Sequence, residues 1–255
     1  MKPDIVVDVG NSRIKWGFCN RGRIADVASL PPDNEAAWRN EAIRWQLFGS
    51  QTWAVSGVHP TQQHRLIQWL TQDWFSHHRG QILLVNRAEQ LPLHVSLEQP
   101  NKVGIDRLLN AVAAAKHPSR GRLPAIIVDA GSAVTVDWLD DAGSFCGGAI
   151  IPGLRLMAQA LHEHTALLPL VQVNQPLPSV PGRSTDEAIH AGVYYAVAGA
   201  INELTARFTE QSGSWPHVFL TGGDADSLRP AVNDRAELWP EMTLEGIRLT
   251  AEAQP

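Results

Sequence analysis

Residues 4–15 are DIVVDVGNSRIK, and residues 124–135 are PAIIVDAGSAVT. In each stretch a short apolar run ends in an aspartate, a small residue and a glycine, and a second apolar, strand-like run follows. Apolar runs of this length that end in glycine are typical of buried strands followed by a tight turn. Asp8 and Asp129 stand about half a chain length apart. The pattern therefore predicts an internal duplication built on two similar β-hairpins.

The order of predicted elements supports this duplication. Strands at 4–9, 13–19 and 23–30 precede a helix at 33–48, which Asp33 is expected to cap, and strands and helices then alternate up to a helix at 104–116. Residues 117–124 (HPSRGRLP) break the pattern, and three strands follow again from residue 125. We expect an α/β protein with domains at residues 1–118 and 119–255 and an active cleft between them.

The composition of the chain argues against several classes of protein. The chain has 255 residues, of which 44% are hydrophobic and 18% charged, and a formal net charge of −5, which gives no electrostatic case for nucleic acid as a partner. The first apolar run, 5–7, is too short for a signal peptide, and no stretch approaches a membrane span. The two cysteines, Cys19 and Cys146, form no metal-binding or redox motif. We expect a cytoplasmic protein.

The first hairpin carries groups suited to phosphate. Gly10 allows the backbone to approach a ligand, Asn11 and Ser12 offer donors, and Lys15 adds a positive charge. A carboxylate beside phosphate donors requires a cation, so Asp8 indicates Mg²⁺ held through water. The second copy around Asp129 repeats this pattern without the lysine. A plain hairpin turn is the alternative interpretation at both places.

Two further segments add to the hypothesis. Gly222 and Gly223 follow a strand, where they would let adenine or ribose lie against the backbone, although paired glycines alone are weak evidence. Asp106 lies at the start of a helix, where the helix dipole favours a carboxylate that could accept a hydroxyl proton, and Arg107 could grip a polar substrate. A simple helix start is the alternative. No P-loop and no dinucleotide fingerprint occurs in the sequence.

Taken together, these motifs resemble the phosphate and adenosine motifs of the actin, sugar-kinase and heat-shock ATPase superfamily, whose domains are ribonuclease-H-like. More specifically, the chain resembles a type III pantothenate kinase over nearly its whole length. The segments that carry this resemblance are DVGNSRIK (8–15), GIDR (104–107), DAGSAVT (129–135), GGAIIPGLRLMAQALHEHTALLP (147–169), STDEAIHAG (184–192) and TGGDA (221–225).

The resemblance implies ATP-dependent phosphorylation of pantothenate, the first step of coenzyme A biosynthesis. It implies that Asp106 is the proton acceptor and that Asp129 binds a monovalent cation, K⁺ or NH₄⁺. It also implies a homodimer in which Thr185 contacts pantothenate in the neighbouring subunit. The pantothenate site would be lined by Gly104, Ile105, Asp106 and Arg107. ATP would be bound by Asp8, Val9, Gly10, Asn11, Ser12, Arg13, Ile14, Lys15, Ser132, Gly222 and Gly223.

The sequence differs from the family pattern at three positions, and two alternative functions remain open. Serine replaces the usual threonine at Ser12 and Ser132, and Leu97 stands where a tyrosine is expected. One rival is a non-catalytic accessory factor of the same family, but Asp8, Asp106 and Asp129 are all present. The other rival is an ATPase or phosphatase on the same fold, which the fold alone does not exclude.

Overall fold

The computed structural model describes residues 1–173, 177–232 and 236–254. The chain divides into two compact units. The first comprises residues 1–93, 98–113 and the stretch from Glu241 onward, and the second comprises residues 94–97 and 114–240. Within the described residues, no helix is long and apolar enough to cross a membrane.

The elements up to residue 116 follow the predicted order closely. Asn34, not Asp33, caps the first helix, because its Oδ1 accepts a hydrogen bond from the Ala37 N–H at 3.0 Å, and that helix ends at Arg44. A π-helical turn, Leu70–Trp74, joins the second helix to the third. The elements are β1 (Ile5–Val9), β2 (Ile14–Asn20), β3 (Arg23–Leu30), α1 (Glu35–Arg44), β4 (Gln51–Gly57), α2 (Pro60–Trp69), α3 (Phe75–His77), β5 (Gly80–Leu84) and α4 (Ile105–Lys116).

The second half repeats the three leading strands and then departs from the first. Its longest helix begins where the Ser184 Oγ accepts a hydrogen bond from the Glu187 N–H at 3.2 Å, and it ends at Gly213 in the left-handed conformation. The elements are β6 (Ala125–Ala130), β7 (Ala133–Leu139), β8 (Phe145–Pro152), α5 (Leu154–Glu163), α6 (Thr185–Ser212), β9 (His217–Thr221), α7 (Ala225–Leu228), β10 (Glu237–Leu238) and α8 (Met242–Ala253).

The two sheets have the same topology, which confirms the predicted duplication. The first sheet has the order β3-β2-β1-β4-β5, and the second has the corresponding order β8-β7-β6-β9-β10. In both sheets the first three strands are antiparallel neighbours and the last two join in parallel. Each leading aspartate therefore lies near the carboxyl end of the central strand of its own sheet.

The two cores differ in composition. Behind one face of the first sheet, Trp16 lies fully buried against Trp53, with their ring centroids 4.9 Å apart in an edge-to-face arrangement. The cluster around them also contains Trp38, Trp69 and Trp74. The cluster of the second unit is mainly aliphatic and includes residues of α5 and α6.

The last helix belongs to the first unit, whereas the predicted boundary placed residues 119–255 together. α8 packs on the face of the first sheet that carries Val6 and Gly17, with the Leu244 side chain beside Gly17. Gly246 brings α8 so close to α4 that an added Cβ would lie 2.0 Å from the Leu109 carbonyl oxygen. Burial of this helix face draws the end of the chain back to the first sheet.

Candidate functional site

The first hairpin places a carboxylate and an ammonium side by side. Asp8 and Lys15 are direct partners in the antiparallel pair of β1 and β2, so their side chains share one face of the sheet. The turn closes through a 3.1 Å hydrogen bond from the Gly10 N–H to the Arg13 carbonyl. Residues 11–13 of this turn are exposed.

Two of the residues predicted for ATP in this hairpin point elsewhere. Val9 and Ile14 are fully buried in the tryptophan-rich core and face each other across the hairpin. Their side chains hold the turn on the sheet, so only their backbone is available for contact with a nucleotide.

The second hairpin repeats this geometry with different chemistry. Asp129 of β6 faces Thr135 of β7, where the first hairpin has a lysine. The Gly131 N–H donates to the Ala133 carbonyl at 3.1 Å, and Ser132 is exposed at the tip of the turn. The partner of this half-buried carboxylate therefore carries a hydroxyl where the partner of Asp8 carries an ammonium.

The start of α5 braces the second hairpin from behind. The Gly153 N–H donates to the Ser132 carbonyl at 3.0 Å. A Cβ at Gly153 would lie 2.3 Å from the Gly131 carbonyl oxygen, so only glycine allows this approach. The hairpin tip is thereby fixed relative to α5.

The paired glycines lie next to this hairpin. Thr221, the last residue of β9, is the parallel partner of Asp129. Gly222 has φ +95°, and a Cβ there would lie 2.5–2.6 Å from the backbone of Ala130. Gly223 is exposed, with nothing within 4 Å of an added Cβ. The second unit therefore brings Asp129, Ser132 and the glycine pair together at one edge of its sheet.

Beside the glycine pair lies a pocket of about 390 Å³. The backbone N–H of Asp224 donates to the Ala130 carbonyl at 2.9 Å, while its buried Oδ2 has no hydrogen-bond partner within the described part of the chain. Burial raises the pKa of this carboxyl, and the Arg155 guanidinium opposes that rise. The pocket is lined by Arg155, Gln159, Leu170, Val171, Gln172, Val173 and Asp224.

The acceptor motif GIDR forms the start of α4. Asp106 lies in the first helical turn, and its Oδ1 accepts a hydrogen bond from the Arg107 N–H at 2.9 Å. A Cβ at Gly104 would lie 2.6 Å from that same oxygen, so the missing side chain leaves room for the carboxylate. Ile105, Asp106 and Arg107 are all partly exposed. The motif thus presents a fixed carboxylate at a helix N-terminus, where the helix dipole favours its anionic form.

Thr185 is the first residue of α6 in the second unit. It is exposed at the edge of an apolar groove of about 830 Å³ between α5 and α6. Ser184 provides the helix cap, so the hydroxyl of Thr185 is not used for capping.

Leu97, which stands where a tyrosine was expected, is 36% exposed and lies close to Gly147 in the second unit.

Three features of these regions were missed by sequence reasoning. Ser56 and Gly57 end β4 beside Asp8 and Val9, in the same way that Thr221 and Gly222 lie beside Asp129 and Ala130. Asp137 is fully buried and accepts a hydrogen bond from the Thr135 hydroxyl at 3.1 Å. Its two-residue spacing from Thr135 is the signal that places both side chains on one face. The third feature is the Asp224 pocket.

Comparison with solved structures identifies the fold. The chain superposes on a protein from Campylobacter jejuni assigned to the Baf family of transcriptional activators, with a TM-score of 0.62 and 18% identity over 97% of both chains. It also superposes on component A of (R)-2-hydroxyglutaryl-CoA dehydratase from Acidaminococcus fermentans, with a TM-score of 0.54 and 13% identity over 98% and 96% of the chains. At these identities the likeness concerns the fold alone. The predicted α/β fold with two ribonuclease-H-like, actin-like domains is confirmed.

Sequence relatives identify the family. A type III pantothenate kinase of Acidiphilium cryptum is 33% identical over 98% of this chain and 95% of the relative. A type III pantothenate kinase of Rhodospirillum rubrum is 40% identical over 95% of both. The sequence model of the family described as type III pantothenate kinase matches residues 5–207. On this match and these near full-length relatives, the chain belongs to the type III pantothenate kinase family.

Proposed function

We propose that this chain transfers the γ-phosphate of ATP to the primary hydroxyl of pantothenate, as the first step of coenzyme A biosynthesis, with Asp106 as the proton acceptor. The observation that carries the proposal is the Asp106 carboxylate, held over Gly104 at the first turn of α4. Family membership supplies the reaction. The accessory-factor alternative is not favoured, because the acidic residues of the family site are present.

The proposed step is an in-line displacement. The hydroxyl proton moves to a carboxylate oxygen of Asp106 as the hydroxyl oxygen bonds to the γ-phosphorus. The bond from that phosphorus to the β–γ bridging oxygen breaks, and ADP leaves. Such a reaction needs positioning and charge stabilisation more than covalent chemistry. Arg107, next to Asp106, would hold a polar group of pantothenate.

The first hairpin is proposed to hold the phosphates of ATP. Asp8 and Lys15 on one face, next to a tight turn with exposed Asn11 and Ser12, combine a carboxylate, an ammonium and hydrogen-bond donors. These groups fit a phosphate with Mg²⁺ held by Asp8 through water. When bound, Mg²⁺ would neutralise part of the phosphate charge.

The second hairpin is proposed to hold a monovalent cation and the rest of the nucleotide. Asp129 and its cross-strand partner Thr135 both carry side-chain oxygens, the kind of ligand that K⁺ or NH₄⁺ would need. Ser132 would contact ATP, and adenosine would lie against Gly222 and Gly223. The adjacent pocket supports this, because Asp224 could accept hydrogen bonds from ribose or adenine. Asp224→Asn should then raise the KM for ATP more than it lowers kcat.

The proton-acceptor role is tested with Asp106→Asn, measured as ADP formation that depends on pantothenate. We expect kcat to fall by about 10²–10⁴-fold, the usual contribution of general base catalysis. Asp33→Asn, an exposed aspartate of the same unit, is the matched control and should retain full activity. Near-normal turnover of Asp106→Asn would refute the role of Asp106 and leave the reaction itself intact.

We also propose a homodimer in which Thr185 completes the pantothenate site of the neighbouring subunit. The apolar groove beside Thr185 supports this, as do the exposed side chains of Ile150, Leu156 and Tyr195, which a second copy would cover. The test mixes two impaired variants, Thr185→Val and Asp106→Asn. A mixed dimer would contain one intact site and regain activity, whereas a Thr185 that served its own subunit would give no recovery.

A further inference from the structure

Three metal-binding side chains converge in the second unit, in a part of the chain that the proposed kinase site does not use. His117 follows α4, His217 opens β9 and Glu237 opens β10. The Nε2 atom of His217 lies 2.8 Å from Oε2 of Glu237, and the Nε2 atom of His117 lies 3.4 Å from Oε1. The three ligand atoms lie within 4.8 Å of one another.

The fold holds these side chains in place. The backbone of His217 is fixed by a hydrogen bond from its main-chain N–H to the Pro124 carbonyl at 2.8 Å, and Glu237 is the parallel partner of Phe219. The His217 ring stacks on the fully buried Phe219 with centroids 4.3 Å apart, and the His117 ring packs on Trp239 at 4.8 Å. Two imidazoles and a carboxylate are therefore oriented before any ligand binds.

A neighbouring serine contacts both His117 and Glu237. The Ser119 hydroxyl lies 2.7 Å from Nδ1 of His117 and 3.3 Å from Oε2 of Glu237. If the hydroxyl donates to the carboxylate, it must accept from the Nδ1–H of His117, which leaves the lone pair on Nε2 facing the cluster. Metal-binding histidines usually have such a hydrogen bond on their second ring nitrogen.

We propose that His117, His217 and Glu237 bind Zn²⁺. Two imidazole nitrogens and one carboxylate are ligands that Zn²⁺ accepts, whereas Mg²⁺ prefers oxygen ligands throughout. Three protein ligands leave a fourth position for water or an external ligand.

The proposed zinc is distinct from the cations of the kinase reaction. His217 pairs with Ala125 at the amino ends of β9 and β6, while Thr221 and Asp129 lie at the opposite ends of the same strands. Four residues of extended chain separate the two places by about 13 Å. A metal at His217 is thus too far from Asp129 to be ligated by both.

The test measures zinc binding directly on the full chain, freed of metal with a chelator and kept in excess Mg²⁺ and K⁺. Zinc is titrated in competition with a chromophoric chelator. We expect one Zn²⁺ per chain, and an affinity about 100-fold weaker in Glu237→Gln and in His217→Ala. Ser119→Ala should weaken binding about 10-fold, the effect expected for a residue that orients a ligand.

The matched control is His162→Ala, because His162 is another histidine of the second unit, exposed and with its Nδ1 2.8 Å from the Leu168 carbonyl oxygen. It should bind zinc as the wild type does. Absence of stoichiometric zinc in the wild type, or unchanged affinity in the nearly isosteric Glu237→Gln, would overturn the proposal and leave a hydrogen-bonded His–Glu–His cluster. The readout does not depend on phosphate transfer, so its failure is distinguishable from failure of the kinase function.

Discussion

The two hairpins have the same backbone plan and different charges. In the first unit Asp8 faces Lys15, and in the second Asp129 faces Thr135. Next to each aspartate a glycine lies in close contact with the central strand of the sheet, Gly57 with Val9 and Gly222 with the Ala130 backbone. The duplicated fold thus supplies the same scaffold twice, and one cross-strand difference distinguishes the hairpin proposed to hold phosphate with Mg²⁺ from the hairpin proposed to hold a monovalent cation.

Among the variants that test this comparison of the two hairpins, replacement of Asp8 and of Asp129 should have the largest effects. Asp8→Asn should lower kcat by about 10²–10³-fold, because it would weaken the hold on the proposed Mg²⁺, which offsets the charge of the transferring phosphate. Asp129→Asn should instead abolish the advantage of potassium over sodium while retaining more turnover. The measurement is kcat as a function of Mg²⁺ and of K⁺ concentration. Identical cation responses in the two variants would show that the hairpins do not divide their work.

A smaller effect should follow when the first hairpin is made to resemble the second. Lys15→Thr copies the residue at Thr135 and removes one charge-assisted contact with phosphate, whose contribution is about 1.5–3 kcal/mol. Steady-state kinetics should show kcat/KM for ATP about 10- to 100-fold lower. Lys15→Arg keeps the positive charge and should recover much of the loss. If Lys15→Thr has wild-type kinetics, Lys15 does not contact the nucleotide.

The next prediction concerns stability. Gly222→Ala should destabilise the protein by about 1–3 kcal/mol through its left-handed backbone alone, and the close Ala130 backbone adds to this. Gly223→Ala is the matched control, since nothing lies within 4 Å of its added Cβ. Thermal unfolding should separate the two variants by several degrees. Equal melting temperatures would contradict the close approach at Gly222.

The smallest effect concerns the two cysteines, one in each unit. Burial raises the pKa of Cys19 to about 12, while Arg248 opposes the rise. Burial also raises the pKa of Cys146, but this residue is exposed. Because alkylation requires the thiolate, its rate rises with pH, and at pH 8 Cys146 should react at least about tenfold faster than Cys19. Mass spectrometry after brief iodoacetamide treatment measures both, and faster labelling of Cys19 would contradict its burial.

Local patterns in the sequence predicted most of the fold. Both hairpins were predicted because an apolar run, an aspartate and a glycine occur within a few residues of each other. The start of α6 is also marked by local residues, because Ser184 and Glu187 have the spacing of a capping box. Ser56 and Gly57 were missed because TWAVSGV has only the pattern of a strand, and their importance arises from pairing with β1. α8 was missed because its position depends on packing against a sheet formed by residues far away in sequence. The two-residue β10 was missed because it is too short to show periodicity.

In the candidate site, too, features set by local sequence were predicted and features set by contacts between distant residues were missed. The sequence predicted Asp8, Asp106 and Asp129 from motifs, and the structure shows the local support of each. The sequence did not reveal the Asp224 pocket, whose lining comes from α5, residues 170–173 and the turn after β9. Such pockets depend on the packing of elements far apart in sequence, which residue patterns do not specify.

The most direct test of the central claim is ADP release by the purified protein with ATP and Mg²⁺, with and without pantothenate, in potassium and then in sodium buffer. Release that requires pantothenate and is faster in potassium is the predicted result. Release of the same rate without pantothenate, or none under any of these conditions, would contradict the assignment of this chain as a pantothenate kinase.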